Sequence, residues 1–155
     1  MHIVIFTIAE KEYGIDIKQV RQVTRTQEVI PIPDAADFVE GVINLRGKVI
    51  PLVNLRKKFG LEKEEAKSAN RIIITDINKH GIGILVDRVV DVLVVDEGSV
   101  TTPDEVLKDA QYLTGVAKVG NRLILMIDIH KVLTSEDQNG IDKVHERIEI
   151  KRTNA

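Results

Sequence analysis

A chain of 155 residues with 43% apolar side chains has material for one ordinary domain, or for two very small ones that share a core. Its net charge of −2, its pI near 6.1 and its 3% aromatic content give it no general attraction to nucleic acid or anionic membrane and little to stack bases on. The absence of cysteine excludes disulfides, thiol nucleophiles and thiolate metal sites. With no charged-then-apolar leader and no apolar run near the roughly 20 residues of a membrane span, the expectation is a soluble cytoplasmic protein without direct membrane insertion.

Ile and Val dominate the apolar set, and β-branched residues favour strands. Met1–Ile8 reads as a strand with uneven alternation, Ala9–Glu12 as a short polar break and Tyr13–Ile17 as the returning arm of a hairpin. Val20 and Val23 carry the apolar pattern into a turn or short helix, and a further strand is predicted near Glu28–Ile32, ended by Pro31 and Pro33. Asp34 is placed to cap a short helix running through Asp37, with Phe38 and Val39 turned inward. Gly41–Leu55 reads as a second hairpin with its tip at Arg46-Gly47, and Asn54 as the cap of a last helical turn that Gly60 stops.

Leu61–Asn70 is a charged run read as an exposed, solvated link. From Arg71 the pattern begins again. Ile3/Ile72, Ile5/Ile74, Ile8/Ile77, Gly14/Gly83, Ile15/Ile84, Val20/Val89 and Val23/Val92 align without a gap, and Gly41-Val42 answers Gly115-Val116 after a small shift. A turn is expected at Asn78–Gly81, a helix start at Thr102-Pro103-Asp104-Glu105, and a hairpin tip at Gly120-Asn121, followed by an Asp128 cap. Beyond Ser135 the strand pattern stops, and the spacing of Ile141, Val144 and Ile148 predicts a weak helix fraying toward Ala155. The chain is therefore a diverged tandem repeat, with lobes at about 3–60 and 71–135 and a tail at 136–155. Each copy suits a small SH3-like barrel.

The same residues offer little to catalysis. His2, His80, His130 and His145 are scattered, with no metal-ligand spacing. Gly81-Ile82-Gly83 is a bare G-x-G inside strand sequence, and Asp87, Asp91 and Asp96 read as strand-end or capping acids. No cofactor and no metal site is expected. Arg46 is the position that stands out: its counterpart is Gly120, so the hairpin does not need arginine, and arginine is favoured at protein interfaces.

The run Gly41-Val42-Ile43-Asn44-Leu45-Arg46-Gly47-Lys48-Val49-Ile50-Pro51-Leu52-Val53-Asn54-Leu55 resembles the signature of the CheW-like chemotaxis coupling proteins. Tyr13-Gly14-Ile15-Asp16-Ile17, Gly83-Ile84-Leu85-Val86-Asp87 and Tyr112-Leu113-Thr114-Gly115 are similar to further blocks of that family, in the expected order, over about residues 3–135. The resemblance implies an all-β fold of two SH3-like five-stranded β-barrels packed on a shared hydrophobic core, with short helical turns. It implies a non-catalytic adaptor that links the cytoplasmic tips of chemoreceptors to the regulatory domain of the histidine kinase CheA, at the membrane-associated array. Carried over position by position, the family's receptor-binding groove falls on Val20, Gln22, Gly41, Arg46, Ile72, Gly83 and Val92, with Gln22 standing where some relatives have an acid. The alternative reading is a small β-barrel nucleic-acid-binding domain, which would need a basic, aromatic-bearing face.

Overall fold

A computed structural model of the chain describes residues 1–62, 65–102, 112–133, 137–144 and 146. The first copy supplies β1 (His2–Ile8), β2 (Lys11–Asp16), β3 (Gln22–Arg25), β4 (Val39–Leu45), β5 (Lys48–Asn54) and the one-turn helix α1 (Leu55–Lys58). The second supplies β6 (Arg71–Ile77), β7 (His80–Val86), β8 (Arg88–Val94), the two-residue β9 (Val100–Thr101), β10 (Leu113–Val119), β11 (Arg122–Ile127) and α2 (Ile129–Val132). Asn54 and Asp128 cap the two helical turns through their side chains. Three hairpins close on two-residue turns with both residues at positive φ, namely Ala9-Glu10, Arg46-Gly47 and Asn78-Lys79. That backbone twist matches the right-handed twist of the strands.

The strands form two sheets, ordered β8-β1-β2-β11-β10-β9 and β3-β6-β7-β5-β4. These are the two SH3-like barrels; the sixth strand of the first is the short β9. The sheets do not follow the expected lobes 3–60 and 71–135. The first hairpin of each copy sits in the sheet built by the rest of the other copy: β1 pairs with β8, and β6 with β3. Parallel contacts complete the exchange, Met126 beside Gly14 and Leu52 beside Gly83. Both glycines are needed for closeness. A Cβ on Gly14 would lie 2.8 Å from Met126 Sδ, and one on Gly83 2.9 Å from Ile72 Cγ2.

The exchange explains the uneven alternation of the first strands. β1 and β6 are covered on both faces over their centres, so each carries an unbroken buried apolar run, Ile3–Phe6 and Ile72–Ile74. Ile3 and Ile5 point into the first barrel with Ala117, Ile124 and Met126, and Ile72 and Ile74 into the second with Ile43, Ile50 and Leu52. Val4, Phe6 and Ile8 meet Ile73, Ile77, Ile82 and Ile84 in a third cluster shared by the two barrels. Four of the five aromatics form a column along it: Phe6–Tyr13, Tyr13–Phe59 and Phe59–Tyr112, with ring centroids 5.8, 5.4 and 5.2 Å apart.

Two local expectations fail. The strand expected at Glu28–Ile32 is reduced to a single bridge, in which Ile30 and Val42 each donate N–H to the other's carbonyl at 2.9 Å, and the turn at Pro33-Asp34 carries the chain out of the ladder. Asp34 caps no helix: at φ 62 it occupies the left-handed position of a turn after Pro33, and the chain makes a second turn in which Val39 N–H donates to Ala36 O. The helix start at Thr102–Glu105, beyond Thr102 itself, and the fraying end of the tail lie outside the described residues. Residues 137–144 are helical, with Ile141 and Val144 buried.

Candidate functional site

The chain changes barrels at two places, and both carry residues expected at the groove. In the first, Asp16 accepts from Lys18 N–H and starts a 3-10 turn, Ile17–Gln19, which delivers Val20 half-buried against the shared core. Arg21 N–H then donates to Ile74 O at 2.8 Å and β3 begins at Gln22, which is half-buried opposite Ile74. Among the described residues β3 pairs only with β6, and β8 only with β1, so both are edge strands. Val92 lies on β8 opposite Val4, 48% exposed at the rim of the shared core. Its repeat counterpart Val23 lies opposite Ile73 and is 39% exposed.

Arg46 is exposed at the β4–β5 tip, at φ 53. Because β5 runs parallel to β7, that tip stands at the same end of the sheet as the Asn78-Lys79 turn and the start of β3. Val20, Gln22 and Arg46 are thus gathered at one end of one barrel, while Val92 belongs to the edge of the other. The remaining three positions face inward. Gly41 is buried, Ile72 is 0% exposed inside the second barrel, and Gly83 packs against it. None of these three presents a side chain to a partner. Gly41 has φ +146, and a Cβ there would lie 2.1 Å from Ile30 O, so glycine is demanded by the backbone itself.

Among the described residues, four of the eight exposed large apolar side chains lie on these edges, Val23 on β3 and Val90, Val92 and Val94 on β8; the others are Ile17, Ile30, Leu61 and Leu123. Sequence position missed Val90 and Val94, which look like core valines until the strand is known to be an edge. The Val23/Val92 repeat match was the usable signal for Val23.

The second barrel change, between β7 and β8, is pinned by charge. Arg56 of α1 grips Asp87 through Nε and Nη2 at 2.9 and 2.8 Å, and Ala9 N–H donates to the same carboxylate at 2.8 Å. Burial alone would push the Asp87 carboxyl up. The hydrogen bonds from Arg56 and Ala9, and the charges of Arg56 and Lys67, outweigh it and hold the group below its ordinary range. The neighbouring cations of α1 reach other elements: Lys57 approaches Glu40 at 3.4 Å, and Lys58 pairs with Asp137 and lies 4.9 Å over the Phe38 ring. The three acids of the 87–96 stretch do not converge. Asp91 accepts from Val92 N–H, and Asp96 caps the 3-10 turn Glu97–Ser99. Among the described residues no group of His, Asp and Glu is arranged to hold a metal ion, and no helix is long and apolar enough to cross a membrane.

Two exchanged barrels thus share a common core, with apolar edge strands beside it. The family model of the CheW-like domain matches residues 2–137. The chain belongs to the CheW-like family. It is 35% identical over 141 residues to the chemotaxis protein CheW of Treponema pallidum, covering 87% of this chain and 83% of that one. It is 36% identical over 128 residues to the chemotaxis protein CheW of Thermotoga maritima, covering 83% and 84%. The crystal structure of the scaffolding protein TtCheW from Thermoanaerobacter tengcongensis is similar in fold, with a TM-score of 0.80 and 37% identity over 88% of this chain and 94% of that one. Membership in the CheW-like family supports a chemotaxis adaptor and not the nucleic-acid alternative.

Proposed function

We propose that this CheW-like chain couples the cytoplasmic tips of chemoreceptors to the regulatory domain of the histidine kinase CheA, working in the cytoplasm at the receptor array and catalysing no reaction. The observation that carries this reading is the pair of open edge strands flanking the shared core, with Val23 and Val92 exposed at equivalent places in the repeat. An apolar stripe on a receptor helix fits such a rim, and an arginine at its margin supplies a polar anchor. Val20, Gln22, Arg46 and Val92 are proposed as the contacting residues. Gly41, Ile72 and Gly83 act from inside, by shaping the sheet that presents them.

The test is a pull-down with purified receptor signalling tips and CheA regulatory domain, separately and together. Capture of both, and of a ternary complex, is the expected result; binding to neither partner sinks the reading.

A further inference from the structure

The two passages between barrels are held by different chemistry. Arg56 and Asp87 hold the second. At the first, the carboxamide of Gln19 makes a two-point clasp on the start of α2. Its Nε2 donates to Asp128 Oδ1 at 2.9 Å, and its Oε1 accepts from Ile129 N–H at 3.2 Å. The orientation of the amide follows from its partners, since an N–H requires the oxygen and a carboxylate requires the nitrogen. The main-chain carbonyl of Gln19 accepts from the hydroxyl of Thr75, a β6 residue 1% exposed, at 2.6 Å. One residue therefore ties its own turn to β6 of the second barrel and to α2, which follows directly from β11 of the first.

The repeat does not demand this arrangement. The counterpart of Gln19 is Arg88, and the counterpart of Asp128 is Asn54, whose amide donates to Glu40 at 2.9 Å instead. The clasp belongs only to the passage whose next residues are Val20 and Gln22.

We propose that Gln19 and Asp128 are a positioning pair: by fixing the Ile17–Gln19 turn against α2 they set where Val20 and Gln22 stand relative to the other barrel, and so govern receptor affinity without touching the receptor. This rests on the receptor-coupling reading above. The clasp is open to a charge test. In Gln19→Glu a second carboxylate faces Asp128, and the Nε2 donor is lost. Adding Asp128→Asn removes one of the two facing charges, and the Asn oxygen keeps the cap on His130 N–H, which Asp128 Oδ1, the atom that also takes the Gln19 donor, now makes at 2.9 Å.

The experiment measures binding of the full chain to receptor tip and to CheA regulatory domain in parallel, with a melting curve for each variant. Gln19→Glu is expected to weaken receptor binding by roughly tenfold or more while leaving kinase-domain binding at the wild-type level. The double variant, relieved of the charge repulsion but not given back the donor, is expected to recover part of the loss. Gln19→Leu, which removes both hydrogen bonds without adding charge, gives the same readout should the glutamate variant not fold. Unchanged receptor binding, a parallel loss of both partners, or a double variant no better than the single overturns the proposal. A wild-type chain that binds the kinase domain but no receptor tip instead removes the receptor reading itself.

Discussion

At φ 53, Arg46 occupies a left-handed backbone position where a side chain costs about 1 kcal/mol or more. Its counterpart Gly120, at φ 60, carries no such cost. Arg46→Gly is therefore the cleaner probe of the side chain. It is expected to melt at or slightly above the wild-type temperature and to lose receptor binding, whereas Arg46→Ala keeps the backbone cost. Gly41→Ala is expected to behave in the opposite way. With its Cβ 2.1 Å from Ile30 O, it should lose several kcal/mol of stability in denaturant titrations, on the scale of severe backbone strain and overpacking. Motif position alone told Arg46 apart, because the two copies differ there. It could not tell Gly41, Ile72 and Gly83 from surface residues: in a strand apolar on both faces, Ile72 looks no different from Ile73, yet they point into different clusters.

One-turn helices rarely matter to stability, but α1 places its three cations on three separate elements, the β7–β8 passage, β4 and the 137–144 helix. Breaking the Arg56–Asp87 fork with Arg56→Ala is expected to cost about 2 kcal/mol, because it strands a half-buried carboxylate with only the Ala9 N–H. The same pair predicts acid sensitivity. Asp87 is depressed in the folded state, so its contribution is complete above the ordinary carboxylate value of about 4 and is lost as pH falls through the lower folded value. Denaturant titrations from pH 6 down to 2 should show this fall, and Asp87→Asn should flatten it. The hairpins were legible because two-residue tips and caps are local chemistry. The strand at 28–32 and the helix at 34–37 were misread because a left-handed Asp34 turns the chain after Pro33, and a propensity pattern does not register backbone handedness.

For the whole molecule, the repeat was visible and its pairing was not. Which hairpin joins which sheet is a tertiary choice; the hint in the sequence was the unbroken apolar run in the first strand of each copy, Ile3–Phe6 and Ile72–Ile74. Exchange makes the halves interdependent. Fragments cut within the 61–70 link are each expected to lack a cooperative transition alone, and on mixing to form a folded 1:1 complex, seen by circular dichroism and sedimentation; two independently folded fragments would contradict the exchanged topology. The aromatic column gives that experiment its own signal. The chain has no tryptophan, and both tyrosines, Tyr13 and Tyr112, stand in the column where the barrels meet. Burial, and then the charge of Tyr112, push the Tyr13 phenol upward, so the folded state keeps that proton longer than the unfolded chain. The tyrosine emission of this protein therefore originates at one seam, and a change in its intensity or in its alkaline ionisation reports the barrels parting, with no label attached.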